Sequence, residues 1–157
     1  FNTYHDAVLL VDKGTKTVSS SVGHKLMNNH PFADKRFQIA QDNIDKLSAI
    51  LKNGDTSEFV KLVEDEALML HGLMMTSDPS YILIKSKTLQ IIESIREFRS
   101  KNNIPVCFTL DAGANVHVLF PDKYSNRVYD FIERNLKIYC ENNSYIRDCV
   151  GFGAKQL

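Results

Sequence analysis

No tract of this sequence approaches 18 uninterrupted apolar residues, so no membrane span is expected. Neither sign of charge is in excess: 19 Lys plus Arg face 19 Asp plus Glu. That balance predicts no whole-protein attraction to nucleic acid or membrane, although it permits a local cationic pocket for a phosphorylated small molecule. Cysteine is scarce. Cys107, Cys140 and Cys149 are odd in number and form no CxxC pair, so the plain reading is free, mostly buried thiols in a reducing, cytoplasmic compartment. The opening Phe1–His5 has neither region of a signal peptide. The missing initial Met fits a piece of a longer protein. There is no internal repeat and no complete Walker-type glycine loop. His24 and His30 are six apart, His71 falls within an apolar helix and His117 falls mid-strand, none of which suits a structural zinc site. No elbow motif supports a serine triad.

What is present suits one domain: 157 residues, 43% of them hydrophobic. Ala7–Val11 is a β-branched apolar run ending near Asp12, and reads as a strand. A short helix with a serine cap is expected over 22–27. Three longer helices follow. The first carries a stripe of Phe37, Ala40, Ile44, Leu47 and Leu51, closed by Gly54. The second starts with an Asp55–Glu58 capping box and buries Phe59, Leu62, Val63, Leu70 and Leu73, stopping at Asp78-Pro79. The third lines up Leu89, Ile92, Ile95 and Phe98. Val106–Leu110 and Val116–Phe120 then flank a small-residue loop, which suggests a hairpin. A last helix is expected over about 123–139, with Tyr124, Val128, Phe131, Ile132 and Leu136 inward. A final strand is expected at Asp148–Phe152. Strands without alternating helices favour an α+β two-layer sandwich: a four-stranded antiparallel sheet with helices on one face, ferredoxin-like in spirit.

Two segments carry chemistry. In Phe108–Val116 an apolar strand delivers Asp111 at its exit, followed by Ala112 and Gly113. Small residues there let a ligand approach the backbone, and Gly113 can take positive φ. A carboxylate at a rigid strand end suits general acid–base or electrostatic work; equally, such an Asp can simply cap a hairpin turn. In Lys16–Lys25, hydroxyls and free N–H groups at a helix start make an anion site, with ordinary serine capping as the alternative. The Met-rich stretch Met69–Met75 reads as core packing.

Phe108-Thr109-Leu110-Asp111-Ala112-Gly113-Ala114-Asn115-Val116 resembles the Phe-Thr-x-Asp-Ala-Gly-Pro-Asn segment of mevalonate diphosphate decarboxylases, in the GHMP kinase superfamily. Val18-Ser19-Ser20 with Gly23 resembles their Val-Ser-Ser-x-x-Gly-Met segment. Leu70-His71-Gly72 through Thr76 resembles their helical Met/Phe-His-Ala-Thr region. Together, in family order, these span essentially the whole chain. The resemblance implies that residues 1–157 form a single GHMP-type C-terminal domain, a fragment lacking the N-terminal ATP-binding domain. It implies ATP-dependent decarboxylation of mevalonate 5-diphosphate to isopentenyl diphosphate, with ATP and Mg2+ bound mainly by the absent domain. It makes Asp111 catalytic and Ser20 a contact to the substrate's phosphoryl groups, with Ser19 and Ser21 beside it. It also implies a possible homodimer. Two departures stand out: Ala114 replaces the family proline, and His24 replaces the Met after Gly23. The rival readings are another GHMP-superfamily kinase, which places a glycine-rich motif without the acid at this hairpin, and a non-catalytic ferredoxin-like interaction domain.

Overall fold

Alternation along the two central strands decides the architecture. The computed structural model describes residues 1–14 and 29–151. The β-strands are β1 (Tyr4–Leu9), β2 (Cys107–Leu110), β3 (Val116–Pro121) and β4 (Tyr145–Cys149). They form one sheet in the order β2-β3-β1-β4, and every neighbouring pair is antiparallel. The helices are α1 (Ala33–Asn53), α2 (Thr56–Thr76), α3 (Ser86–Asn102) and α4 (Ser125–Phe131). The expected four-stranded antiparallel α+β fold is therefore present. The hairpin is present too, with Leu110 opposite Val116.

Residues paired across a ladder share a face, and successive residues alternate. Ala7, Val118 and Phe108 lie in one row, and Leu9, Val116 and Leu110 in the next. All six are buried, in one cluster with Ile91, Ile92 and Ile95 of α3 and Val128 and Phe131 of α4. The opposite face is different. Asp6, Val8, Thr109 and His117 are only half-buried there. At one end of that face, Phe59 and Val60 of α2 pack with Tyr4 and Cys107 in a second, smaller cluster. The sheet thus has one sealed face and one largely open face.

Several elements depart from expectation. The inward stripe of α1 was expected to run through Phe37, Ile44 and Leu51. These are 54%, 58% and 43% exposed. The helix instead leans on α2 through Arg36 and Asn43, which both donate to Glu66 at 2.5 and 2.6 Å. Its end is as expected: Gly54 takes φ 71° and closes it. In α2 the buried positions are Phe59, Val60, Glu64, Ala67, His71 and Met74, while Leu62, Val63, Leu70 and Leu73 are half-buried. Asp55 caps it by accepting from the N–H groups of Ser57 and Glu58 at 3.1 Å each. In α3 the expected Leu89 is 47% exposed and Thr88 is buried in its place. The last expected helix is α-helical only to Phe131. It widens into a π-helical turn at Ile132–Leu136 and then tightens into a 3-10 turn at Lys137–Tyr139, with Tyr124 half-buried. The final strand lies earlier than expected, at Tyr145–Cys149, and is mostly exposed. Cys107 and Cys140 are buried, but Cys149 is exposed. The helix expected over 22–27 falls outside the described residues. Among the described residues, no helix is long and apolar enough to cross a membrane.

Candidate functional site

Asp111 stands where the sealed β2 strand leaves the sheet. Leu110 before it is buried against the helices. The pleat therefore turns Asp111 to the open face, and its side chain is 75% exposed. The short loop behind it is held from three sides. His71 of α2 donates through Nε2 to the Asp111 carbonyl at 3.0 Å. Thr88 of α3 donates its hydroxyl to the Ala114 carbonyl at 2.7 Å. Asn115 accepts from the backbone N–H of Asp12 at 3.0 Å. His71 is buried, and desolvation holds its imidazole below the usual value, partly offset by the bond to the Asp111 carbonyl. It acts as a neutral donor.

These pins answer what Ala114 does in place of proline. Proline would stiffen the loop by fixing φ; here hydrogen bonds from two helices and from Asp12 do so. Gly113 leaves its freedom at positive φ unused. Its φ is not positive, and a Cβ built there meets nothing within 4 Å. The backbone does not require glycine at this position; what glycine leaves is open space.

That space belongs to a cleft of about 290 Å³, lined by Ala112–Asn115 on one side and by Asp12, Lys13, Gly14 and Lys85 on the other. Lys85 pairs with Asp12, and the N–H of Gly14 donates to the same carboxylate at 2.8 Å. The Lys85 bond, foremost, holds Asp12 below its usual range. Two lysines beside a glycine-rimmed cleft make a setting for an anionic ligand. The chain leaves the rim of this cleft at Gly14 and enters the serine-rich segment. Ser19, Ser20 and Ser21 lie outside the described residues.

Two residues that the sequence did not single out for the site complete it. His117 faces the open side, two rungs from Asp111. Its Nδ1 lies 2.9 Å from Asp6 Oδ2, and its Nε2 lies 3.7 Å from Asp111 Oδ2. The second distance is a charge contact rather than a hydrogen bond. The bond to Asp6, foremost, raises the His117 imidazole above its usual value; burial opposes this, and the charges of Asp6 and Asp111 add to it. The signal was available in principle. In a hairpin where Thr109 faces His117, a residue two beyond Thr109 is its diagonal neighbour. Among the described residues, no group of three or more His, Cys, Asp or Glu side chains converges to hold a metal ion.

Comparison with known proteins follows the same lines. A family model described as the mevalonate 5-diphosphate decarboxylase C-terminal domain matches residues 7–152. A curated relative, the phosphomevalonate decarboxylase of Haloferax volcanii, is 26% identical over 105 residues, which are 67% of this chain and 32% of that protein. The solved mevalonate pyrophosphate decarboxylase of Streptococcus pyogenes superimposes with a TM-score of 0.86 at 21% identity, covering 98% of this chain and 46% of its own. A structure on the mevalonate diphosphate mediated ATP binding mechanism of the Enterococcus faecalis mevalonate diphosphate decarboxylase gives 0.79 at 22%, covering 93% and 42%. This chain thus spans less than half the length of each of these relatives.

Proposed function

Since the chain belongs to the mevalonate 5-diphosphate decarboxylase C-terminal domain family, we propose that it is the substrate-binding half of an ATP-dependent decarboxylase. The reaction phosphorylates the tertiary 3-hydroxyl of mevalonate 5-diphosphate with ATP. That transfer leaves ADP, and loss of phosphate and CO2 from the phosphorylated intermediate then gives isopentenyl diphosphate. In this reading residues 1–157 form a single C-terminal domain and act in the cytoplasm.

One observation carries the reading: the exposed Asp111 carboxylate stands on a loop pinned by His71 and Thr88, whose next four residues, Ala112–Asn115, line a cleft with Lys13 and Lys85. Positioning and electrostatics dominate phosphoryl transfer. A fixed carboxylate orients the 3-hydroxyl and accepts or shares its proton. It then favours the positive charge that develops at C3 as phosphate departs. Ser20, with Ser19 and Ser21, is assigned to the phosphoryl groups of the substrate. Among the described residues no group of three or more His, Cys, Asp or Glu side chains converges to hold Mg2+. The metal accompanies ATP, and both are assigned mainly to the N-terminal domain.

A second reading concerns the substrate alone. The Haloferax relative is named a phosphomevalonate decarboxylase, which favours mevalonate 5-phosphate as the alternative substrate of the same chemistry. The test uses the full-length protein with each substrate, following ATP-dependent CO2 release. Turnover with the diphosphate is expected. Asp111→Ala is expected to lose at least about a hundredfold, as for one lost transition-state contact of about 3–4 kcal/mol. Near-normal turnover by that variant would remove Asp111 from the chemistry. Turnover with the monophosphate alone would select the second reading.

A further inference from the structure

We propose that His117 is the positioning residue for Asp111: clamped between the carboxylates of Asp6 and Asp111, its imidazolium aims the Asp111 side chain during turnover. This rests on the role given to Asp111 above and adds to it a second residue and a pH dependence.

The argument starts from what the loop pins leave free. His71 and Thr88 hold the backbone of the Asp111 loop, but they do not touch its carboxylate. A side chain 75% exposed samples several rotamers unless something selects one. Among the described residues, the only ion-pair partner of the Asp111 carboxylate is His117 Nε2, at 3.7 Å. His117 is itself fixed: its Nδ1 lies 2.9 Å from Asp6 Oδ2, and it stands on β3, between β1 and β2 in the sheet. A neutral imidazole has one donor and one acceptor. Here both ring nitrogens face carboxylates, which only accept. The protonated ring satisfies both, so the geometry selects a cation.

The charged groups facing His117 are few. Asp6 comes from β1 and Asp111 from the hairpin. Its ladder neighbours, Thr109 on β2 and Val8 on β1, carry no charge. Asp148 on β4 lies opposite Asp6 and adds further negative charge to this face. Among the described residues, no Lys or Arg forms an ion pair with Asp6 or Asp111. As pH rises through the raised imidazole value, the cation is lost and Asp111 loses that ion-pair partner.

The test is the pH profile of ATP-dependent CO2 release by the full-length protein at saturating substrate. The parent is expected to show an alkaline limb on kcat. His117→Gln is expected to lower kcat about tenfold, with KM changed less than about twofold, and to abolish that limb. His117→Lys, a permanent cation, is expected to keep kcat within about threefold at neutral pH and also to lack the limb. Asp6→Asn, which removes the stronger partner, is expected to move the limb to lower pH. An unchanged profile in His117→Gln overturns the proposal, as does a loss of thermal stability with the profile intact. A limb unmoved by Asp6→Asn does the same. The Asp111→Ala variant separates the two claims. If it remains active, the role of Asp111 fails; if it is inactive while His117→Gln behaves as the parent, only the role of His117 fails.

Discussion

At the scale of single residues, Gly113 separates two properties that glycine offers together. Its sequence context suggested both room for a ligand to approach the backbone and freedom to take positive φ, and only the room is realised. Its backbone is ordinary, and an added methyl group has open space. Glycine to alanine at an unstrained φ raises stability by about 0.4–1 kcal/mol, because the unfolded chain loses freedom. Gly113→Ala is therefore expected to leave the melting temperature equal or slightly higher. Its expected cost is at the cleft, where the methyl occupies space next to a bound ligand, with KM for substrate rising about tenfold. An unchanged KM would show that the gap at Gly113 is not used. Asp111 itself was legible, because an acid after an apolar strand and before small residues is a local pattern. His117 was not. Its partner Asp6 is 111 residues away in sequence, and only sheet pairing brings them together.

At the scale of elements, polar residues on buried faces disguised the helix phases. The buried positions of α2 run through Val60, Glu64, Ala67, His71 and Met74, spaced as a helix demands. A hydrophobic count skips Glu64 and His71 and so settles on the neighbouring stripe. In α3 the same happens at Thr88, whose hydroxyl accepts from the Lys85 N–H at 3.1 Å and donates to the Ala114 carbonyl. A satisfied hydroxyl is cheap to bury. Glu64 is the sharper case. Arg99 donates to it at 2.5 and 3.1 Å and also to the Val106 carbonyl at 2.8 Å. This ties α2 to α3 and to the start of β2. Removing one partner of such a pair strands the other, at about 3 kcal/mol. Glu64→Ala is expected to destabilise the domain by that amount in urea unfolding, with the slope unchanged. A loss below about 1 kcal/mol would mean that solvent already screens the pair.

At the scale of the whole molecule, the sheet has one face sealed by α3 and α4 and one face left mostly open. Asp111, His117 and Asp6 all sit on the open one. The proposed ATP-dependent decarboxylation also needs a nucleotide site, and these residues contain no complete Walker-type glycine loop. The 157-residue chain by itself is therefore expected to give no ATP-dependent CO2 release, whereas the full-length protein does. Detectable turnover by the isolated chain would place the nucleotide site within it.

Sequence alone determined the number and type of most elements, the hairpin and its acid, and the family. Those follow from local alternation, turn chemistry and a contiguous motif, which need no knowledge of distant partners. Tertiary structure decided which stripe of each helix faces inward and which side of the sheet stays open. It also decided that Asp6, His117 and Asp111 form one charged diagonal across the open face. The physical reason is that burial and charge pairing depend on neighbours far apart in sequence, 35 residues for Glu64 and Arg99 and 111 for Asp6 and His117, and those neighbours meet only once the helices are packed and the antiparallel register is set.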